Sequence, residues 1–487
     1  MMQIEKDYYK DLGLARTATT GEIRQNYRML ARLYHPDVSQ EAQTVEKFQA
    51  VQEAYEILGD RTQREKYNQW CVQQGHDQPS ALNLQVTTSH QTLSPIAEEQ
   101  AYYVRLEITS IADLPAIRLP LNLCLVVDRS TSMQGARLKY VKEALGEIID
   151  QLQPEDALSL VVFSDRAEVL LPGQVNIDKA LAKSVAAKIQ PGGSTEMLPG
   201  LLLGLKEIER KRSRSSVNHI ILLTDGQTYG DEAECLQQAQ EAELRQISLS
   251  AIGIGSDWNE DFLDKLTSFS NGISTYIDSP QKVKSIFEDT VRHLKMVLAR
   301  QLMLTINLGS GVHLHEAFQI TPQIRRLEIP QPQIELGTLS AEQGKSLLFE
   351  FRVRDLQPGE RRLVRIKVES DIPRQAEYRA WESVDLAAEV GEMTNLPADV
   401  PAEITTVLST LAIFKMHEKV FSDLESNKIK TATHRLEIMA TRLLDLGETN
   451  LAQAALLEAG RLAKAGVLSA AGPKTIKFGA RALRFVT

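Results

Sequence analysis

The 487-residue chain is poor in several things, and each shortage closes a route. Cysteine occurs three times, at Cys71, Cys124 and Cys235. An odd number of scattered thiols, with no pair at metal-ligand spacing, argues against a disulfide framework and against a zinc site. No run approaches the roughly 20 apolar residues that a membrane helix needs. The opening MMQIEKDYYK lacks the apolar core of a signal peptide. Basic charge is not in excess: 55 Lys and Arg stand against 64 Asp and Glu, a net charge of -9. That leaves no footprint for nucleic acid and no patch for an anionic membrane. Gly253 and Gly255 lack the third glycine of a dinucleotide loop, and no G-x-S-x-G elbow occurs. The expectation is a cytoplasmic protein with no nucleic-acid or membrane partner.

What remains is ordinary globular material, 43% apolar and 24% charged, with length for two to four domains. Residues 6–70 read as helical, within a first domain of residues 1–70. Ile23, Tyr27, Leu30 and Leu33 recur at three-to-four spacing, and so do Phe48, Val51, Tyr55 and Leu58. The polar stretch 71–80 is a linker. Over 119–297, apolar runs such as LNLCLVV, ALSLVVF and HIILL alternate with helical stretches, the pattern of a parallel sheet covered on both faces. Strict alternation flanks this block, as in Val104, Leu106 and Ile108 before it and Phe349, Phe351 and Val353 after it. Residues 81–118 and 298–395 are therefore expected to form one β-sandwich into which the α/β block is inserted. From 400 to 487 the chain is helical again. Its basic end, LSAAGPKTIKFGARALRF, reads more readily as a solvated final helix than as a docking peptide.

Two constellations carry chemistry. The first is RLYHPDVSQ with the helix before it. Arg24, Arg28 and Arg32 fall at i, i+4 and i+8, three guanidinium groups on one face. His35 and Asp37 bracket Pro36, which fixes φ and removes a donor. A rigid polar corner beside a cationic ridge suits docking on an acidic partner. Taken alone, the tripeptide reads more readily as a proline-ended helix with solvated arginines. With its flanks DYYKDLGL and EKFQAVQEAYEILGDRTQREKYN, it resembles the J domain of DnaJ-type co-chaperones over some 65 residues. The resemblance implies that Arg24, Arg28, Arg32, His35, Pro36 and Asp37 engage a DnaK-type chaperone and stimulate its ATPase. The zinc repeats and the Gly/Phe-rich linker of longer DnaJ proteins are missing.

The second constellation is LVVDRSTSM, then PGGSTEML, then HIILLTDG. Asp128, Ser130, Ser132, Thr195 and Asp225 form an all-oxygen set, two carboxylates and three hydroxyls, at the ends of buried strands or in adjoining loops. Such donors suit a hard divalent cation. Ser and Asp as helix caps are the bland alternative. The three segments in this order resemble the von Willebrand factor A (VWA) fold with its metal-ion-dependent adhesion site. The resemblance implies hydroxyl ligands from Ser130, Ser132 and Thr195. It implies direct or water-mediated binding by Asp128 and Asp225, with Mg2+ preferred over Mn2+ or Ca2+. A partner's carboxylate would then complete the octahedron. Thr131 stands where the family often has glycine, which implies a stiffer loop.

The fold class expected is thus multidomain, α/β plus all-β plus all-α: a helical J domain, a Rossmann-like VWA domain inserted in a β-sandwich, and a C-terminal helical region. The function expected is that of a non-enzymatic co-chaperone or adaptor. It would recruit a DnaK-type chaperone and hold a protein client that supplies a carboxylate to the cation. The alternative is an assembly factor working with an AAA-type ATPase in metal or cofactor insertion or in complex remodelling. A cation-dependent hydrolase ranks last, because no base lies near Asp128 or Asp225.

Overall fold

The computed structural model describes residues 8–14, 18, 20–34, 42–73, 82–96, 98–110, 117–213, 215–228, 230–328, 333–340, 343–372, 379–391, 400–481 and 483. The chain forms two compact units, Met1–Ala81 and Leu82–Thr487.

The first unit contains the helices Tyr8–Asp11, Thr20–Leu33, Ala42–Leu58 and Arg61–Gln73. The three-to-four spacing puts Ile23, Tyr27 and Leu30 on one stripe, where they meet Val51, Ala54 and Leu58 of the next helix. Tyr27 stacks on Tyr55 with ring centroids 3.9 Å apart and planes 9° from parallel. Arg64 ties the last helix to the first segment, its Nε donating to the Tyr9 hydroxyl at 2.7 Å. Arg24 and Arg28 are exposed, opposite in character to buried Ile23. The side chain of Arg32 and the tripeptide His35-Pro36-Asp37 lie outside the described residues.

The second unit is organised around a six-stranded sheet. Its strand order is Ser274–Ile277, Ile247–Ile254, Val217–Thr224, Leu121–Asp128, Ala157–Phe163 and Ala167–Gln174. Every residue of Leu121–Asp128 and of Val217–Thr224 is buried, which explains why these segments read as continuous apolar runs. Leu121, Leu123, Leu125 and Val127 face one layer of helices, while Cys124 and Val126 face the other. Five strands are parallel, but Ala167–Gln174 runs antiparallel at the edge. The sequence pattern suggested a purely parallel sheet. The three-residue turn Ser164–Arg166 is too short for a crossover and forces a hairpin.

Two further sheets enclose the ends of this segment. One runs Leu82–Thr88, Gln100–Ser110, Lys345–Val353, Val312–Thr321, Arg325–Arg326. The other runs Gln333–Ser340, Met296–Leu308, Gly359–Asp371, Arg379–Val390, Thr92–Leu93. Val104 pairs with Phe349 and Ile108 with Lys345, so strands from either side of the α/β segment share one ladder. Tyr102, Val104, Leu106 and Ile108 are fully buried. Their polar neighbours are not all wet, however: Arg105 is 8% exposed and Glu350 7%. The long helix Ala402–Glu425 lies over this face, and its Lys415 Nζ comes within 3.9 Å of Glu350. Phe414 meets Phe318 edge-on, with centroids 6.4 Å apart. Alternation in the sequence marked a polar face; a later helix decided that the face would be covered.

The helices Ile429–Asp445 and Thr449–Ala465 stack beside it, and a fourth helix, Gly472–Arg481, returns to the central sheet. Lys474 and Lys477 on that helix are only 4% and 7% exposed. Lys474 Nζ donates to the carbonyl of Ser256 at 2.7 Å and pairs with Glu260 at 3.1 Å. Lys477 and Arg481 each pair with Asp264 at 2.7 Å. Phe478 packs 5.6 Å from Trp258 and 5.9 Å from Tyr276. The basic tail is therefore an internal clamp, contrary to the solvated helix its composition suggested.

A pH dependence follows where the strand Gln333–Ser340 meets the helix Glu232–Leu244. Burial, and then the facing Glu243, raise the Glu335 carboxyl from 4.5 to about 7. The buried cations of the same region are Arg325, drawn down to about 10 by burial, and Lys345, drawn down to about 7 by burial and by Arg325. Because Glu335 binds its proton more tightly folded than unfolded, its contribution to stability declines as pH rises from 4.5 through about 7. Lys345 acts above that window. Glu335→Gln is expected to raise the melting temperature of the full chain at neutral pH and to flatten its fall on going up from pH 5. An unchanged slope in thermal unfolding would count against this assignment.

Candidate cation site at the carboxyl edge of the central sheet

In open α/β sheets, ligands gather outside the carboxyl ends of strands, where neighbouring connections leave in opposite directions. Here that point lies beside Leu121–Asp128. The chain goes next to Ala157–Phe163 on one side and later to Val217–Thr224 on the other. Asp128 ends the first of these strands and Asp225 directly follows the last. Both are fully buried.

Four of the five oxygen-bearing residues are joined by hydrogen bonds at this edge, and Thr195 lies beside Gly226, next to Asp225. The backbone N–H of Ser130 donates to Asp128 Oδ1 at 2.7 Å. The hydroxyls of Ser130 and Ser132 are 3.0 Å apart, and Ser132 donates to Asp225 Oδ1 at 2.6 Å. Thr195 sits beside Gly226, where a Cβ would stand 3.0 Å from the Thr195 hydroxyl oxygen. Glycine at 226 therefore lets that hydroxyl approach. Two cis ligands of an octahedral magnesium, each at about 2.1 Å, are about 3.0 Å apart. The Ser130–Ser132 hydrogen bond spans the same distance and every donor is an oxygen, so the set is chemically suited to a hard cation. Among the described residues there is no cluster of three or more His, Cys, Asp and Glu that could hold a metal. A cation here would rely on the hydroxyls as much as on the two carboxylates.

Burial pushes the Asp128 carboxyl up to about 6, partly offset by hydrogen bonds from Ser130 and Thr224, with nearby Asp225 adding to the rise. A buried carboxylate held this way is a poor solvent group and a ready cation ligand.

Two contributors escaped the sequence reading, Thr224 and Arg137, and a third, Thr131, was noted there only for its stiffening of the loop. Thr224 donates its hydroxyl to Asp128 Oδ2 at 2.7 Å, fixing the second carboxylate oxygen. Thr131 bonds the Gly193 carbonyl twice, from its backbone N–H at 3.1 Å and its hydroxyl at 3.0 Å. Its side chain thus straps the Asp128 loop to the loop that leads to Thr195. Arg137, one turn further on, donates from Nη1 to Asp225 Oδ2. Only Thr224 was foreseeable, as the residue preceding Asp225 on its strand.

The pair Gly253 and Gly255 also has a packing role. A Cβ at Gly253 would stand 2.1 Å from the Trp258 ring, and one at Gly255 would stand 2.8 Å from Arg137 Nη2.

Comparison with known proteins identifies the domains of the chain. The model of the DnaJ domain matches residues 7–68, that of the von Willebrand factor type A domain matches 122–289, and that of the Sll0103-like, C-terminal alpha-helical domain matches 402–484. An uncharacterized protein, sll0103, from Synechocystis sp. is 28% identical over 368 residues, 74% of this chain and 87% of the relative. The chaperone protein DnaJ of Exiguobacterium sibiricum is 50% identical over 76 residues, 16% of this chain and 20% of the chaperone. The solved structure titled von Willebrand factor type A from Catenulispora acidiphila superposes with a TM-score of 0.69 at 16% identity. That match covers 84% of this chain and 98% of the other, a likeness of fold. The chain carries a DnaJ domain at its N-terminus, a von Willebrand factor type A domain set within a β-rich region, and a C-terminal helical domain of the Sll0103-like kind.

Proposed function

We propose that this protein is a co-chaperone adaptor whose J domain recruits a DnaK-type chaperone and stimulates its ATPase. In this reading the VWA domain holds a protein partner through a divalent cation, most readily Mg2+, at Asp128, Ser130, Ser132, Thr195 and Asp225. The observation that carries it is one chain joining a DnaJ domain to an all-oxygen cluster at the carboxyl edge of a VWA sheet. A cation bound there supplies Lewis acidity toward a carboxylate presented by the partner. The chain's own groups do the rest: Asp128 and Asp225 provide charge, the three hydroxyls provide neutral ligands, and Thr224 and Thr131 hold the loops in place.

The J-domain half is tested with the full chain and a DnaK-type chaperone in single-turnover ATPase assays. Stimulation is expected with the wild type and is expected to disappear with His35→Gln, the corner that the family resemblance implicates. Stimulation that survives the substitution overturns the role given to that corner. The VWA half is tested by pull-downs from lysate in Mg2+ and in chelator. A partner retained in Mg2+ and lost in chelator supports capture through the cation. If that partner is an AAA-type ATPase, the assembly-factor reading replaces general client capture.

A further inference from the structure

The residue that most changes the character of the site is a cation the protein supplies itself. Arg137 lies in the first turn of the helix Ala136–Gln151. Its Nη1 bonds Asp225 Oδ2 and lies 3.4 Å from the Ser132 carbonyl. Its Nη2 is 4.0 Å from Asp257 Oδ2. Below it, Gly255 has φ of +75°, and a side chain there would collide with the guanidinium. The group is therefore seated in a fitted cradle, bounded by a buried carboxylate, a backbone carbonyl and a glycine.

The charge arithmetic is simple. Asp128 and Asp225 bring two buried negative charges to the site and Arg137 cancels one of them, while Asp257, 4.0 Å from Arg137 Nη2, is largely exposed and its charge is screened by solvent. Asp225 shares its oxygens, Oδ1 with Ser132 and Oδ2 with Arg137. A divalent cation entering the cluster meets a net charge of about minus one, with a guanidinium on the far side of its own ligand. At partly buried sites such like-charge opposition is weakly screened.

We infer that Arg137 is a built-in counter-cation that lowers the affinity of this site for divalent metal, so that a partner's carboxylate is needed to restore the charge balance and hold the ion. This rests on the cation-site reading above and sharpens it: metal and acidic partner bind cooperatively, and the partner sought is one presenting Asp, Glu or a free carboxyl terminus.

The test measures Mn2+ binding by the full chain, without partner, using electron paramagnetic resonance of free Mn2+. Arg137→Met, which keeps the stem and removes the charge, is expected to bind Mn2+ about tenfold or more tightly than wild type. Arg137→Lys is expected to stay near wild type. In chelator the Met variant is expected to melt lower, because Asp225 loses its partner, and Mn2+ is expected to raise its melting temperature more than it raises that of wild type. Arg137→Gln serves the same purpose if the Met variant fails to fold. Equal or weaker Mn2+ binding by both neutral variants overturns the inference while leaving the cation site standing. If tighter binding survives Asp225→Asn in the Arg137→Met background, the ion is elsewhere and the inference falls. No binding by any variant overturns the cation-site reading itself, and this inference with it.

Discussion

Asp264→Ala is expected to be strongly destabilising, lowering stability by about 3–5 kcal/mol. Asp264 accepts from Lys477 and Arg481, each at 2.7 Å, and from the Ser274 hydroxyl. Lys477 is 7% exposed, and Arg481 Nε has no hydrogen-bond partner. Truncation would leave two cations close together with little solvent, and among the described residues Asp261 is the other carboxylate paired with Lys477. Burial works to raise the Asp264 carboxyl, but Arg481 and Lys477 prevail and hold it below its ordinary 3.8. Its contribution is therefore fully present above 3.8 and is lost only as acidification passes through its lowered value. Chemical unfolding of the full chain should show an early transition in the variant, accompanied by exposure of Trp258, which Phe478 covers. A single transition at the wild-type midpoint would show that the clamp contributes nothing. Asp264→Asn, which keeps shape and one acceptor, should fall between the two.

Asp128→Asn is expected to move stability and cation affinity in opposite directions. Amide and carboxylate have the same outline. Asn could still accept from the Ser130 N–H, while its amide could donate to Thr224, whose hydroxyl can turn to the Gly226 carbonyl 3.3 Å away. What disappears is a buried charge. Because burial raises the Asp128 carboxyl from 3.8 to about 6, the ionised form opposes folding increasingly as pH rises through that interval. In chelator above pH 6 the variant should therefore be more stable than wild type, by on the order of 2 kcal/mol. Near pH 4 it should show little gain. Mn2+ binding should nonetheless fall by about a hundredfold or more, since a formal charge leaves the ligand set. Destabilisation of the metal-free variant at neutral pH would argue that Asp128 is a structural anchor rather than a residue kept for its charge. The two readouts together separate a functional carboxylate from a helix-capping one.

Much of this protein was written in local pattern. The runs LNLCLVV and HIILL are buried on both faces, and no other element accommodates them as well as inner strands of a covered sheet. Ile23, Tyr27 and Leu30 recur at the spacing of one helical face and pack as such. The candidate site's five residues could be proposed from sequence because four of them end a strand or sit within four residues of one, where chain order alone brings them to a common edge. Thr195 was the exception in principle, since it hangs on a loop between helices. It was found through its glycine-led segment and its resemblance to a family.

What only the tertiary structure decided involves groups whose partners are far away in sequence. Arg137 looks like any polar residue of a first helical turn until Asp225, 88 positions later, is placed against it. Lys474 and Lys477 look like solvent-facing charges until the last helix is laid on the segment more than two hundred residues earlier, where Lys474 meets Glu260 and the Ser256 carbonyl and Lys477 meets Asp261 and Asp264. Arg105 belongs to a polar face whose covering helix begins some three hundred residues downstream. Periodicity records which side of an element is apolar, because that depends on neighbours three or four positions away. Whether a polar side meets water or an opposite charge depends on how elements are stacked, and that is a long-range outcome of packing that no window of the sequence contains.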